Sequence, residues 1–169
     1  MNRHDEDIHS MVALREEREI AGGRCFSSRG SNVTRVLVVD DEPSNLELVS
    51  EFLVLEGHEV ARAACGREAR ALLDTGAIDL LITDLHMPSP DGFGLVEHVR
   101  SLACPVPVVM MSGTWTAEER RRAGALGIAR LHDKPLDPEQ LLRDVGELAS
   151  LCPPRSCRAR ETPSPGQQA

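Results

Sequence analysis

The stretch Leu80-Leu81-Ile82-Thr83-Asp84-Leu85-His86-Met87-Pro88 decides how this chain is read. Four of its first five residues are apolar or β-branched, the kind that fills a strand buried on both faces. Asp84 stands where that run stops and the turn residues begin: Pro88, Pro90, then Asp91-Gly92. A buried strand does not end in a carboxylate unless it reaches the sheet's edge or a site. In open parallel sheets, ligands gather beyond the carboxyl ends of the strands. Asp84 is placed like a working residue.

Upstream, Val36-Leu37-Val38-Val39 reads as another buried strand, ending in Asp40-Asp41-Glu42. Pro43 fits the first turn of a helix, where its missing N–H costs nothing. Leu46, Val49, Phe52 and Leu53 give that helix an apolar face, and Gly57 ends it. Residues 58–62 alternate in polarity, as a half-exposed edge strand does. Gly66 to Thr75 reads as a helix. Downstream, Phe93, Val96 and Val99 mark a third helix. Pro107 opens a strand through Val108-Val109-Met110-Met111, which ends at Ser112-Gly113. Thr116 caps a polar helix that runs to Leu126 and is closed by Gly127. Residues 128–132 form a short last strand, followed by Asp133-Lys134-Pro135. Asp137 caps a final helix carrying Leu141, Leu142, Val145 and Leu148.

Five strands alternating with five helices predict a parallel sheet with helices on both faces, joined by right-handed crossovers. Segments 58–62 and 128–132 look like edges; 36–39, 79–83 and 108–111 look central. The order 2-1-3-4-5 satisfies that split, which makes the expected fold a flavodoxin-like (βα)5 doubly wound sheet.

Composition bounds the rest. The chain has 169 residues, enough for one domain with extensions, and at 41% apolar but 2% aromatic its core must be aliphatic. The expected division is a flexible leader over 1–34 with one short helix, a folded domain over 35–150, and a Pro/Ser/Arg tail over 151–169. No run of 18 apolar residues and no signal-peptide pattern occurs, so the expectation is a cytoplasmic protein with no membrane contact. Cys25, Cys65, Cys104, Cys152 and Cys157 are scattered and odd in number, which suits free thiols. Residues 35–150 carry a net charge of −9, against −1 before them and +2 after. An acidic domain argues against direct contact with nucleic acid. Among 19 basic residues, 18 are arginine; the single lysine is Lys134.

The strand ends collect a constellation. The first ends in Asp40 and Asp41, the third in Asp84, the fourth in Ser112, and the fifth runs into Lys134. Three carboxylates together repel, and a hard divalent cation such as Mg²⁺ relieves that repulsion. A cation, one lysine and one hydroxyl make a site for a phosphoryl group. A compact ammonium sits against a single oxygen where a planar guanidinium fits badly, which explains a lone lysine in an arginine-rich chain.

These residues resemble the receiver domain of response regulators in two-component signalling. The matching motifs are Val38-Val39-Asp40-Asp41-Glu42-Pro43, Asp84-Leu85-His86-Met87-Pro88-Ser89-Pro90-Asp91-Gly92, Met111-Ser112-Gly113 and Lys134-Pro135, in family order and spacing across about residues 35–150. The resemblance implies that Asp84 is the phosphoacceptor. It implies Mg²⁺ held by Asp41, Asp84 and the backbone carbonyl of His86, with Asp40 acting largely through water. Ser112 would hydrogen-bond the phosphoryl group, Lys134 would pair with it, and the Lys134–Pro135 bond would be cis. His86 and Thr114 occupy positions that in this family tune the lifetime of the acyl phosphate. The family's aromatic switch position, three before the lysine, holds Leu131 here.

The function this implies is a stand-alone receiver with no attached effector. It would be phosphorylated by a sensor histidine kinase or a histidine phosphotransfer protein, and would signal through about residues 116–150. Two rivals stand beside it: an aspartyl-phosphate phosphohydrolase, and a degenerate receiver that only binds. The hydrolase normally needs a second acid two residues after the nucleophile, where this chain has His86. Two smaller expectations concern the fourth helix: Trp115 packs over the Ser112 loop, and Glu118 is spaced to pair with Arg122.

Overall fold

The computed structural model describes residues 33–151. The helix expected in the leader, the tail after Leu151, and Cys25, Cys152 and Cys157 lie outside the described residues; Cys65 and Cys104 are free thiols. In chain order the elements are β1 (Arg35–Val39), α1 (Pro43–Leu55), β2 (Glu59–Ala63), α2 (Gly66–Asp74), β3 (Leu80–Asp84), α3 (Gly92–Ser101), β4 (Val108–Ser112), α4 (Ala117–Ala125), β5 (Arg130–Asp133) and α5 (Pro138–Leu151). The five strands form one parallel sheet in the order β2-β1-β3-β4-β5, the expected flavodoxin-like arrangement. Among the described residues, no helix is long and apolar enough to cross a membrane.

The three central strands are buried along nearly their whole length, and strand alternation divides their side chains between two cores. Leu37, Val39, Leu81, Val108 and Met110 face α2, α3 and α4 with Ala69, Leu73, Leu95, Val96, Val99 and Ala123. Val36, Val38, Leu80, Ile82, Val109 and Met111 face α1 and α5 with Val49, Leu53, Leu141 and Val145. This explains the near-continuous apolar runs: each strand has no wet face on which to place a polar residue.

Both edge strands begin later than the sequence suggests, for one reason. The His58 N–H donates to the Leu53 carbonyl at 3.0 Å, and the Ile128 N–H to the Ala123 carbonyl at 3.1 Å. Each first residue is therefore still closing the preceding helix, and pairing starts only at Glu59 and Arg130. Gly57 and Gly127, at φ +89° and +64°, supply the left-handed turn that this closure requires.

Two other glycines bring backbones close together near the site. A Cβ on Gly66 would lie 2.1 Å from the Pro90 carbonyl oxygen, and one on Gly92 would lie 2.5 Å from the Asp84 carbonyl oxygen. A Cβ on Gly146, inside α5, would meet nothing within 4 Å. The same substitution therefore has opposite signs. In urea unfolding, Gly66→Ala should lower stability by about 1–3 kcal/mol through overpacking. Gly146→Ala should raise it by about 0.5–1 kcal/mol through helix propensity.

Candidate functional site

Strand register assembles the site. Asp40 follows the last residue of β1, Asp84 ends β3 opposite Met111, and Ser112 ends β4 opposite Asp133. Lys134 comes next, its N–H donating to the Ser112 carbonyl at 2.8 Å. The Lys134–Pro135 peptide is cis, as the resemblance implies; Ser89–Pro90 is also cis, which nothing in the sequence indicated.

Lys134 Nζ lies 2.7 Å from Asp40 Oδ2 and 2.7 Å from Asp84 Oδ1. The two carboxylate side chains are only 1% and 7% exposed, so the ammonium is their main source of compensating charge. Asp40 Oδ1 also accepts from the Glu42 N–H at 2.9 Å. Burial by itself pulls the Lys134 pKa down. Hydrogen bonds to Asp40 and Asp84, together with their charges, outweigh burial and leave it above the ordinary lysine value.

Ser112 faces the other way. Its hydroxyl donates to the Thr114 carbonyl, accepts from the Thr114 N–H at 3.2 Å and lies 3.2 Å from His86 Nδ1. His86 Nε2 in turn lies 3.1 Å from Glu119 Oε1. Glu119 is also the third residue of α4 and half of its capping box: Thr116 Oγ1 accepts from the Glu119 N–H, and Glu119 Oε2 accepts from the Thr116 N–H at 2.7 Å. The hydrogen bond from the Thr116 backbone, then that from its side chain, hold the Glu119 carboxyl below its ordinary pKa, with His86 adding a smaller effect. An open cleft of about 480 Å³ lies alongside, with Leu85, Met87 and Phe93 in its lining and Glu118 and Arg122 on the α4 side.

Of the residues singled out by sequence, the structure brings Asp40, Asp84 and Lys134 into contact and joins Ser112, His86 and Thr114 into a second group. Asp41 is exposed. Among the described residues, no three Asp, Glu, His or Cys side chains cluster closely enough to hold a metal ion. The ion pairs at the strand ends join two carboxylates, Asp40 and Asp84, through Lys134. The donor set still fits Mg²⁺. Its members are carboxylate and carbonyl oxygens, and Asp40, Asp41 and Asp84 against Lys134 leave two negative charges in excess.

Leu131 is half-buried and packs against the core under α2, α3 and α4, as does Trp115. The pairing expected between Glu118 and Arg122 is not made. Arg122 leans over the Phe93 ring, 4.4 Å from its centre, and binds Glu97 at 2.7 Å, while Glu118 pairs with Arg121 at 2.7 Å. The α4 face turned toward α3 claims Arg122, leaving Glu118 to its neighbour one turn along. Glu119 is the residue that sequence reasoning missed. Thr116-x-x-Glu119 is a capping-box pattern, but nothing local marks its reach to His86.

Comparison with known proteins agrees with this geometry. The sequence pattern of the response regulator receiver domain family matches residues 36–146. The chain is 34% identical over 114 residues to the sensor histidine kinase RcsC of Salmonella typhi, a match covering 68% of this chain and 12% of that one, so it spans only a small part of that relative. It is 35% identical over 121 residues to a 14.6 kDa protein of Leptolyngbya boryana, covering 70% of this chain and 92% of that one. Among solved structures, the chemotaxis response regulator CheY4 of Vibrio cholerae is 34% identical, with a TM-score of 0.63 over 69% of this chain and 98% of that one. A CheY-like receiver domain protein from Methanospirillum hungatei is 27% identical, with a TM-score of 0.67 over 70% and 95%.

Removing the ammonium tests the geometry directly. Lys134→Met leaves two buried carboxylates facing each other and should cost roughly 2–3 kcal/mol in magnesium-free urea unfolding, discounted for the partial exposure of the lysine. Asp40→Asn in the same chain should recover part of that loss.

Proposed function

We propose, from the fact that the chain belongs to the response regulator receiver domain family of two-component signalling, that it is a switch worked by phosphorylation of Asp84. The observation that carries this reading is the Lys134 ammonium bridging the nearly buried carboxylates of Asp40 and Asp84 at the carboxyl end of the sheet.

Each residue has a task that follows from its place. Asp84, oriented by the Lys134 ammonium at 2.7 Å, offers a carboxylate lone pair to phosphorus. A carboxylate oxygen forms the new bond to phosphorus. The bond from phosphorus to the donor's imidazole nitrogen breaks, and its electron pair stays with the imidazole. Lys134 then donates to a phosphoryl oxygen as the charge on Asp84 becomes that of an acyl phosphate. Ser112 turns its hydroxyl from the Thr114 carbonyl to another phosphoryl oxygen. Mg²⁺, held by Asp41, Asp84 and the backbone carbonyl of His86 with Asp40 behind a water, would supply positive charge against the phosphoryl oxygens.

The donor proposed is a sensor histidine kinase or a histidine phosphotransfer protein in the cytoplasm, where the unbroken receiver site would meet it. The stand-alone reading draws support from the Leptolyngbya boryana protein, 92% of whose length the match spans. Output is assigned to α4, β5 and α5, which make up most of residues 117–151. The hydrolase rival loses ground because His86, in the place of the second acid, has its ring engaged by Ser112 and Glu119.

Incubation with acetyl phosphate and Mg²⁺ should add one phosphoryl group to the intact chain. Asp84→Asn or a magnesium chelator should abolish the addition. An Asp84→Asn chain that still gains the group would refute the assignment.

A further inference from the structure

The reaction at Asp84 needs a hydroxyl that is already occupied. A serine hydroxyl has one proton to give, and the acceptors in reach of Ser112, the Thr114 carbonyl and a ring nitrogen left bare when the ring's N–H is turned to Glu119, both draw it away from Asp84. Among the described residues, no hydrogen bond joins the Ser112 hydroxyl to the side chains of Asp84 or Lys134. Its remaining neighbour is His86 Nδ1 at 3.2 Å. To reach a phosphoryl group on Asp84, Ser112 must give up both the carbonyl and the ring.

The ring is held from its far side. The His86 side chain is 54% exposed and has open water around much of it, so packing alone does not fix its orientation. Glu119 Oε1, 3.1 Å from Nε2, does. The two oxygens of this carboxylate serve different partners: Oε2 closes the α4 cap on Thr116, and Oε1 meets the imidazole. A continuous series of contacts therefore runs from the first turn of α4 through Glu119 and His86 to the end of β4. Leu131, at the family's aromatic position, has no polar atom with which to follow the hydroxyl.

We propose that Glu119 is a positioning residue for the reaction at Asp84: by fixing His86 against Ser112 it holds the hydroxyl away from the phosphoryl site until a phosphoryl group competes for it. The inference rests on the reading of Asp84 as phosphoacceptor. Its consequence is that phosphorylation loosens an arm attached to the first turn of α4, within the proposed output surface, with no aromatic switch required.

The test compares the ratio of phosphorylated to unphosphorylated full-length chain at steady state in acetyl phosphate and Mg²⁺, read by intact mass. Glu119→Ala and His86→Ala each remove the arm and should raise the ratio by roughly fivefold, the factor that one hydrogen bond is worth. The double variant should go no further than either single one. Glu119→Gln keeps one acceptor oxygen where the carboxylate uses two, so it serves the α4 cap or Nε2–H but not both, and should raise the ratio only part of the way to that of Glu119→Ala. Thr116→Ala weakens the helix cap but leaves the arm, so it should lower the melting temperature and leave the ratio unchanged. The proposal is overturned if Thr116→Ala matches Glu119→Ala, if the two single effects multiply in the double variant, or if Glu119→Ala leaves the ratio at wild type. Failure of the underlying reading looks different: the wild type would gain no phosphoryl group, or Asp84→Asn would still gain one.

Discussion

Lys134 Nζ lies 2.7 Å from both Asp40 Oδ2 and Asp84 Oδ1, and those carboxylates are nearly closed to water. Each acid taken out of water costs several kcal/mol unless a partner compensates it, and one ammonium is shared between two. That arrangement is stable only if three separate strand ends meet within hydrogen-bond distance. The site and the sheet are thus conditions of one another. The ladder places β1, β3 and β5 so that their ends converge, and the ion triplet penalises any slip that would part them.

The triplet also sets the chemistry. Two acids against one base leave residual negative charge next to the exposed Asp41, which suits a divalent cation. Under the proposed function, an ammonium already in contact with Asp84 needs little movement to follow charge onto an incoming phosphoryl group, so the reorganisation is small. Around this preformed centre the other polar residues are turned away. Ser112 and His86 belong to a second network that ends at the α4 cap, and under the proposed function the two networks exchange the Ser112 hydroxyl.

Much of this was legible in the sequence because it depends on strand periodicity. Buried runs with an acid at the last position locate Asp40 and Asp84, and the lone lysine between Asp133 and Pro135 locates the counter-charge. Strand order followed from which runs were apolar throughout. What was not legible depends on helix rotation and side-chain reach across elements. The pairing of Arg122 with Glu97 rather than Glu118 is set by how α4 packs beside Phe93 of α3. The Glu119–His86 contact spans 33 residues with no local signal. Asp41 is adjacent to Asp40 in sequence yet is exposed where Asp40 is buried, because both lie past the end of β1 and the chain there turns toward α1.

The most direct test of the central claim is chemical mapping of the acceptor. The chain is phosphorylated with acetyl phosphate and Mg²⁺, then reduced with borohydride, which converts an aspartyl phosphate to homoserine, and peptides are sequenced by tandem mass spectrometry. The account predicts homoserine at position 84 and nowhere else. Homoserine at position 40, 41 or 91, or a phosphoryl group that resists borohydride because it sits on His86, would contradict it.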